Sequence, residues 1–314
     1  MSTEKSFYKE MKWIKIKQLF VPDNNFEWMV SHAANPFATK LQDDIYRIYF
    51  TSRNKENQSH IGFVDIDFGN NFDIVNISSR PVLSPGEPGL FDDSGAGMGC
   101  LLEVDKKIFL YYLGWNLKVT VPWLNAIGLA IYDESKKEFI KYSRAPLMDR
   151  SDEDPFTISY PYVFKDEKKY KMWYGSNLGW GNEQSKMNHV FKYAESDDAI
   201  HWNRTNEIHI PLIHPNEYAL SKPYVIKEDG KYKMWYSYRA NGMISTYRIG
   251  YAESVDGRKW IRMDEFSGID VSVSGWDSEM ICYPFVFDSH DKRWLLYNGN
   301  GYGKTGFGIA VLEK

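Results

Sequence analysis

A five-residue pattern recurs along the chain at constant spacing, and this periodicity restricts the fold more than any other feature. Residues 170–174 and 232–236 both read Tyr-Lys-Met-Trp-Tyr, and looser copies stand at 46–50, 108–112 and 293–297. The copies end at residues 50, 112, 174, 236 and 297, so successive ends lie 62, 62, 62 and 61 residues apart. Self-similarity at a fixed period predicts a fold built from repeated units.

Each repeat predicts four β-strands in antiparallel order. A proline-led apolar segment, as in 161–169 and 223–231, ends in polar turn residues and precedes the repeated motif, which is typical of a hairpin. A third apolar run, such as 127–132 or 191–195, and a fourth strand that carries an aromatic residue complete the unit. Four strands repeated five times without helical periodicity predict an all-β, five-bladed β-propeller with four-stranded antiparallel blades.

The predicted propeller is a single domain over residues 1–314. The fifth unit stops after its third strand, whereas residues 11–17 alternate polar and apolar and carry Trp13 in the aromatic place. We therefore expect this N-terminal strand to complete the last blade and close the ring, which removes open sheet edges. The predicted blades are residues 30–75, 95–142, 158–204, 219–262, and 280–314 together with 11–17.

Composition and charge exclude several classes of protein. Lys and Arg total 38 against 42 Asp and Glu, without a basic run, so a nucleic-acid partner is not expected. No apolar stretch of the sequence reaches the ~18 residues of a membrane-spanning helix, so no membrane partner is expected. The charged residues 1–12 lack the apolar core of a secretory signal, which predicts a cytoplasmic location.

The connections between strands two and three, and those between blades, are long and share one face of the predicted propeller. Long irregular connections usually carry function. Their aromatic rings, amides and charged groups suit a sugar, which offers apolar C–H faces and many hydroxyls. The predicted substrate-binding residues are His32, Asn35, Arg53, Asp92, Trp115, Tyr160, Trp180, Lys222, Arg239, Trp276, Tyr283 and Asn300.

The same face carries carboxylates near the starts of the first strands. Glycoside hydrolysis requires two carboxylates about 5–9 Å apart, and the one that acts as the acid needs a raised pKa. Because the first strands start near the axis, carboxylates placed there can meet in one pocket. The predicted catalytic residues are Glu217, Asp277, Glu279, Asp154 and Asp93.

No cofactor is predicted. The seven histidines show no metal-ligand spacing, although a divalent cation on the axis is left open. Lys304 belongs to the predicted mouth loop 299–305, and with Lys222, Arg53 and Arg239 it can meet the phosphate of a nucleotide-linked sugar. The expected partner is a small saccharide, a glycan or a nucleotide-sugar, and the oligomeric state is left open.

The repeated Tyr-Lys-Met-Trp-Tyr strands and the Glu-Ser-x-Asp-Gly-x-x-Trp segment at 253–260 are similar to those of a known superfamily. On these motifs the chain resembles the five-bladed β-propeller glycoside hydrolases of the family 43, 32, 68 and 130 type. The resemblance implies the propeller fold and a sugar-binding funnel. It implies no catalytic set, because the first-strand openings that are acidic in family 43 hold Asn35, Tyr160, and Ser221 with Lys222.

Three functions follow from these patterns. The first is a glycoside hydrolase or glycosyl-transferring enzyme that uses two carboxylates in the central funnel, and this is the interpretation we favour from the sequence. The second is a cytoplasmic enzyme of glycan or nucleotide-sugar biosynthesis on the same fold. The third is a sugar-binding propeller without catalysis, whose carboxylates are spread apart or paired with Arg and Lys. The fold alone does not separate them.

Overall fold

The computed structural model describes residues 11–180, 187–242 and 245–313, and these residues form an almost entirely β structure. This confirms the predicted all-β class. The strands of the described residues are β1 (Trp13–Phe20), β2 (Ser31–Gln42), β3 (Ile45–Arg53), β4 (Ser59–Asp67), β5 (Asp73–Ile77), β6 (Gly95–Val104), β7 (Lys107–Leu117), β8 (Trp123–Asp133), β9 (Glu138–Lys141), β10 (Ile158–Asp166), β11 (Lys169–Trp180), β12 (Met187–Ser196), β13 (Asn203–Arg204), β14 (Glu217–Glu228), β15 (Lys231–Ala240), β16 (Arg248–Ser254), β17 (Ile261–Arg262), β18 (Cys282–Ser289), β19 (Lys292–Asn298) and β20 (Phe307–Leu312).

Consecutive strands pair antiparallel in groups of four. Groups one to four are β2–β5, β6–β9, β10–β13 and β14–β17. Group five consists of β18, β19 and β20 with β1 as its outer strand, and in it Trp13 lies opposite Leu312. The two ends of the described chain therefore meet in one antiparallel pair.

Strand pairing joins these groups into three sheets. A single parallel pair, Ser59 with Gly95, links groups one and two, and His189 with Ala219 links groups three and four. No strand pairing connects the three sheets to one another within the described ranges. The first strands nevertheless contact one another in cyclic order, β2 with β6, then β10, β14, β18 and again β2. This arrangement brings the starts of the five first strands to one central place.

The repeated motif lies on the second strand of each group and supplies the core. Trp173 and Trp235 are fully buried at the fourth position of the two identical copies. The last aromatic of each motif lies opposite a glycine on the third strand in four groups, because the rings leave no room there. A Cβ at Gly128, for example, would lie 2.2 Å from the Tyr112 ring. The aromatic–glycine pairs are Phe50–Gly62, Tyr112–Gly128, Tyr236–Gly250 and Tyr297–Gly308, and Lys192 replaces the glycine opposite Tyr174.

In four groups the last tyrosine of the motif donates a hydrogen bond to a buried carboxylate. The Tyr174 hydroxyl lies 2.9 Å from Asp154, which is fully buried. Asp154 also contacts Lys192 and the outer-strand Arg204, each at 3.2 Å. We call this arrangement the tyrosine–carboxylate–base network, because it ties the second strand of a group to its outer strand.

The other copies of this network follow the same plan. The members are Tyr112–Asp92–Lys141 in group two, Tyr236–Asp264–Arg262 in group four and Tyr297–Asp277–Lys15 in group five. In groups two, three and five the carboxylate precedes its tyrosine by 20 residues. Group one ends its motif in Phe50, which has no hydroxyl, and Trp28 stacks on that ring at 6.0 Å instead.

We expect Asp154→Asn to destabilise the protein by about 3–5 kcal/mol, because it leaves two buried cations without their counter-charge. Urea denaturation measures this loss. Glu279→Gln is the matched control, since Glu279 is an exposed carboxylate and its substitution should change the unfolding free energy by less than about 0.5 kcal/mol. Equal effects of the two substitutions would contradict the structural role of the network.

Candidate functional site

The openings of the first strands share a backbone irregularity. The residue before the first-strand proline has a positive φ, 56° at Asn35, 44° at Tyr160, 54° at Lys222 and 56° at Tyr283. The antiparallel register shifts at each of these places, as expected for a β-bulge. Positive φ is unfavourable for these residue types and persists only where the surrounding structure enforces it. Asn35, Tyr160 and Tyr283 thereby reach a common cavity.

The second and third strands contribute to the same cavity at constant places in the repeat. Arg53, Trp115 and Arg239 each stand three residues after the last aromatic of the motif. On the third strands, Asn125 stands three residues before Gly128, and His189 stands three residues before Lys192. Gly128 and Lys192 are the residues that pair with the last aromatic of the motif. The cavity has a volume of about 660 Å³, which is within the usual range of about 300–1,000 Å³ for small-molecule sites. All five groups line it.

The positive charges of this cavity come from Arg53 and Arg239. No Asp or Glu of the described residues lines it. Arg53 donates to the Asn57 side-chain oxygen at 2.9 Å, and Arg239 donates to the Tyr302 hydroxyl at 2.7 Å. Neither arginine has a carboxylate within ion-pair distance in the described part of the chain. Among the described residues, the charged side chains that line the cavity are therefore both positive.

Tyrosine rings surround the Arg239 guanidinium. It lies 4.8 Å from the Tyr218 ring centre and 4.7 Å from that of Tyr247. Such cation–π contacts stabilise a partly desolvated charge without neutralising it. The buried Arg239 Nε has no hydrogen-bond partner among the described residues. Of its five N–H donors, the guanidinium uses one within the described residues, toward the Tyr302 hydroxyl.

Two histidines of the cavity are neutral at physiological pH. Burial, with the fields of Arg53 and Lys304, lowers the pKa of His32 to about 4. Burial, together with the charge of Arg239, lowers the pKa of His189 to about 3. Neutral imidazoles both donate and accept hydrogen bonds, which suits hydroxyl-rich ligands.

Two tyrosine hydroxyls meet near the arginines. The hydroxyls of Tyr160 and Tyr283 lie 3.5 Å apart. Burial raises the pKa of Tyr160, and the charges of Arg53 and Arg239 oppose that rise. Both tyrosines and both arginines line the same cavity.

Seven of the predicted substrate-binding residues line this cavity, namely His32, Asn35, Arg53, Trp115, Tyr160, Arg239 and Tyr283. The other five do not. Asp92 belongs to the tyrosine–carboxylate–base network of group two. Lys222 is buried and donates to the carbonyl of Gly99, and burial lowers its pKa to about 8.

The remaining three residues have structural contacts in loops and between strands. Trp276 stacks on Tyr297 at 5.2 Å, and Trp180 packs edge-on against Trp123 at 5.7 Å. The Asn300 side-chain oxygen accepts hydrogen bonds from two backbone amides of the preceding loop, at 2.8 and 3.0 Å. The prediction placed these three side chains at the substrate. The paths of their loops instead turn Trp276 and Trp180 onto aromatic residues of neighbouring strands, and Asn300 onto the backbone of the preceding loop.

None of the five predicted catalytic carboxylates lines the cavity. Asp154 and Asp277 belong to tyrosine–carboxylate–base networks, and Glu217 forms a two-point ion pair with Arg262 at 2.9 and 2.8 Å. Asp93 accepts a hydrogen bond from the Gly89 amide at 2.9 Å, and Glu279 is exposed. Catalytic roles for these residues stay a prediction, and their contacts favour a structural role.

Four polar residues that line the cavity are missing from the sequence-based prediction of the site: Asn125, His189, Ser221 and Tyr247. The signal for three of them was present in the repeat. Asn125, His189 and Tyr247 all stand three residues before the residue that faces the last tyrosine of the motif, at 128, 192 and 250. An alignment of the third strands on residues 128, 192 and 250 shows that Asn125, His189 and Tyr247 are equivalent.

Residues 11–180, 187–242 and 245–313 contain neither a candidate metal site nor a helix that could span a membrane. In these ranges no group of three or more His, Cys, Asp or Glu side chains has the geometry to hold a metal ion. In the same ranges no helix is long and apolar enough to cross a membrane. The polar groups that converge in the cavity are arginines, amides, imidazoles and hydroxyls.

The chain superposes on several solved structures of glycoside hydrolases. The chain superposes on a glycosyl hydrolase from Bacteroides ovatus with a TM-score of 0.72 at 16% identity, covering 96% of this chain and 94% of that one. It is equally similar, with a TM-score of 0.72 and 16% identity over 97% of this chain and 94% of the other, to a structure described under "The GH130 family of mannoside phosphorylases contains glycoside hydrolases that target beta-1,2 mannosidic linkages in Candida mannan". An endo-arabinase from Bacteroides thetaiotaomicron has a TM-score of 0.62 at 11% identity, over 95% of this chain and 98% of that one. At these identities the likeness shows the fold of the glycoside hydrolases.

A closer relative is known from sequence. The chain is 44% identical over 304 residues to the protein named "Uncharacterized protein Rv1502" from Mycobacterium tuberculosis, covering 97% of this chain and all of the relative. The chain therefore belongs to the same family as that mycobacterial protein. No protein-family model matches the present chain.

We expect His189→Asn to make stability less sensitive to acid. The folded-state pKa of about 3 lies below the ordinary 6.5, so as pH falls below 6.5 the unfolded imidazole binds a proton that the folded one does not. The native protein then loses about 1.4 kcal/mol per pH unit through this residue, and the variant does not. Urea unfolding at pH 7, 5.5 and 4.5 measures the slope. An unchanged slope in the variant would show that His189 is protonated in the folded cavity.

Proposed function

We propose that the chain is a five-bladed β-propeller whose central cavity binds a saccharide. Three observations support the propeller: the four-strand groups, the cyclic contacts of the first strands, and the fold shared with glycoside hydrolases. In this proposal the strand β1 completes the fifth blade through its pairing with β20. The cavity then lies on the propeller axis.

The composition of the cavity wall carries the proposal of a sugar ligand. The Trp115 ring, the Asn35 and Asn125 amides, and neutral His32 and His189 all line one space of about 660 Å³. Aromatic rings pack on the apolar face of a sugar, while amides and imidazoles bond its hydroxyls. Asn35 is held at this wall because its backbone N–H donates to the Asn298 side-chain oxygen at 2.8 Å.

The cavity favours saccharide binding over two-carboxylate hydrolysis. A glycosidase of the usual kind needs two carboxylates across the bond that is cleaved. The carboxylates near the strand openings are instead paired with Lys and Arg, as the sugar-binding interpretation predicts. We therefore assign recognition of a sugar to this site and no hydrolysis. The cytoplasmic location stays part of the proposal.

We expect Trp115→Ala to weaken saccharide binding at least tenfold, because it removes the ring on which the sugar packs. Isothermal titration calorimetry against a panel of pentoses, hexoses and deoxyhexoses, free and phosphorylated, measures the affinity. Trp260→Ala is the control, since Trp260 packs on Trp173 at 5.9 Å and does not line the cavity. Binding of no saccharide by the native chain, or equal loss in the two variants, would refute the proposal.

A further inference from the structure

The arginines of the chain differ in whether they face a carboxylate. Eight of the arginines in the described residues lie within ion-pair distance of an Asp or Glu: Arg47, Arg144, Arg150, Arg204, Arg248, Arg258, Arg262 and Arg293. Arg53, Arg80 and Arg239 do not. Arg80 is exposed and donates to the carbonyl of Lys136 at 3.1 Å. Arg53 and Arg239 are half-buried, and both line the central cavity.

Half-buried guanidinium groups without a counter-charge are costly to maintain. Removing a charge from water is unfavourable unless hydrogen bonds and an opposite charge compensate for it. The neighbours of Arg239 are neutral tyrosines, and those of Arg53 include the Asn57 amide and neutral His32. Among the described residues, neither of these two positive charges at the cavity has an Asp or Glu within ion-pair distance.

The free hydrogen-bonding capacity points in the same direction. Among the described residues, the Arg239 guanidinium donates one hydrogen bond, to the Tyr302 hydroxyl, and that of Arg53 donates one, to the Asn57 side-chain oxygen. The Tyr160 hydroxyl belongs to the same cavity. A guanidinium presents parallel N–H donors that match the oxygen atoms of a carboxylate or phosphate. Tyrosine hydroxyls beside it donate to the same oxygens. Together these donors form a preorganised place for an oxyanion.

We propose that the saccharide bound here carries an anionic group, a phosphoryl or a carboxyl, held by Arg239 and Arg53. This inference rests on the proposed function, since the sugar ring is taken to pack on Trp115 in the same cavity. The anion supplies the counter-charge that the described part of the chain does not provide. A sugar phosphate, a nucleotide-sugar and a uronic acid share this chemistry.

The test is a titration of matched ligands against the intact protein. The probes are glucose, glucose 1-phosphate, glucuronic acid and UDP-glucose, with the galactose and mannose counterparts, and inorganic phosphate alone. We expect at least one anionic saccharide to bind at least tenfold more tightly than its neutral parent and than inorganic phosphate. The affinity should fall as salt rises from about 50 to 300 mM, because screening weakens charge pairing.

Variants assign the preference to the arginines. Arg239→Gln and Arg53→Gln should each reduce at least fivefold the ratio of the affinity for the anionic saccharide to the affinity for its neutral parent. Arg239→Lys should recover part of the preference, since it keeps the charge and loses the planar donors. Arg80→Gln is the control and should change nothing. Thermal melts show whether each variant is folded. Arg53→Gln removes a hydrogen bond to the Asn57 side chain and keeps the test usable if Arg239→Gln unfolds.

The outcomes separate this inference from the proposed function. Equal binding of neutral and anionic saccharides would overturn the anionic inference and leave the sugar site standing. Binding of inorganic phosphate as tight as that of any sugar phosphate would overturn it too, since the sugar would then contribute nothing. Binding of none of these probes would overturn both.

Discussion

A buried carboxylate between a tyrosine hydroxyl and a cation is the interaction on which the rest of this structure depends. It occurs in groups two to five, and each copy joins the second strand to the outer strand of its group. The outer strands β13 and β17 contain only two residues each, so backbone pairing alone holds little of them. Buried, fully bonded polar networks specify one arrangement of neighbouring elements. In groups two to five the network therefore holds the outer strand in place relative to the second strand.

This constraint also explains why no Asp or Glu stands among the described residues that line the cavity. The acidic residues near the strand openings are used to hold the outer strands, and their charges are neutralised there by Lys15, Lys141, Arg204 and Arg262. The cavity keeps two arginines and neutral polar groups. A chain with the fold of glycoside hydrolases thus presents a positive central site, which directs our proposal toward anionic sugars rather than toward hydrolysis by paired carboxylates.

The repeat made much of the fold predictable. The 62-residue spacing located the second strands, and the polar turns located their hairpins, because both depend on local sequence. Seven of the twelve predicted substrate-binding residues line the cavity, because the strand ends near which they lie meet at the centre of the cyclic arrangement of first strands. The contacts of Asp154 and Asp277 could not be predicted from the repeat, because a loop residue near the opening of a strand can face the axis or turn back toward a tyrosine. The recurring distance of 20 residues to that tyrosine was the available signal.

Crystals of the protein grown with the tightest-binding anionic saccharide test the account most directly. We predict electron density for a sugar in the central cavity, with its ring on Trp115 and its anionic oxygens within about 3 Å of the Arg239 and Arg53 guanidinium nitrogens. The carboxylates of Asp154, Glu217 and Asp277 should keep their partners. A sugar bound outside this cavity, or one whose glycosidic oxygen contacts any of these three carboxylates, would contradict the account.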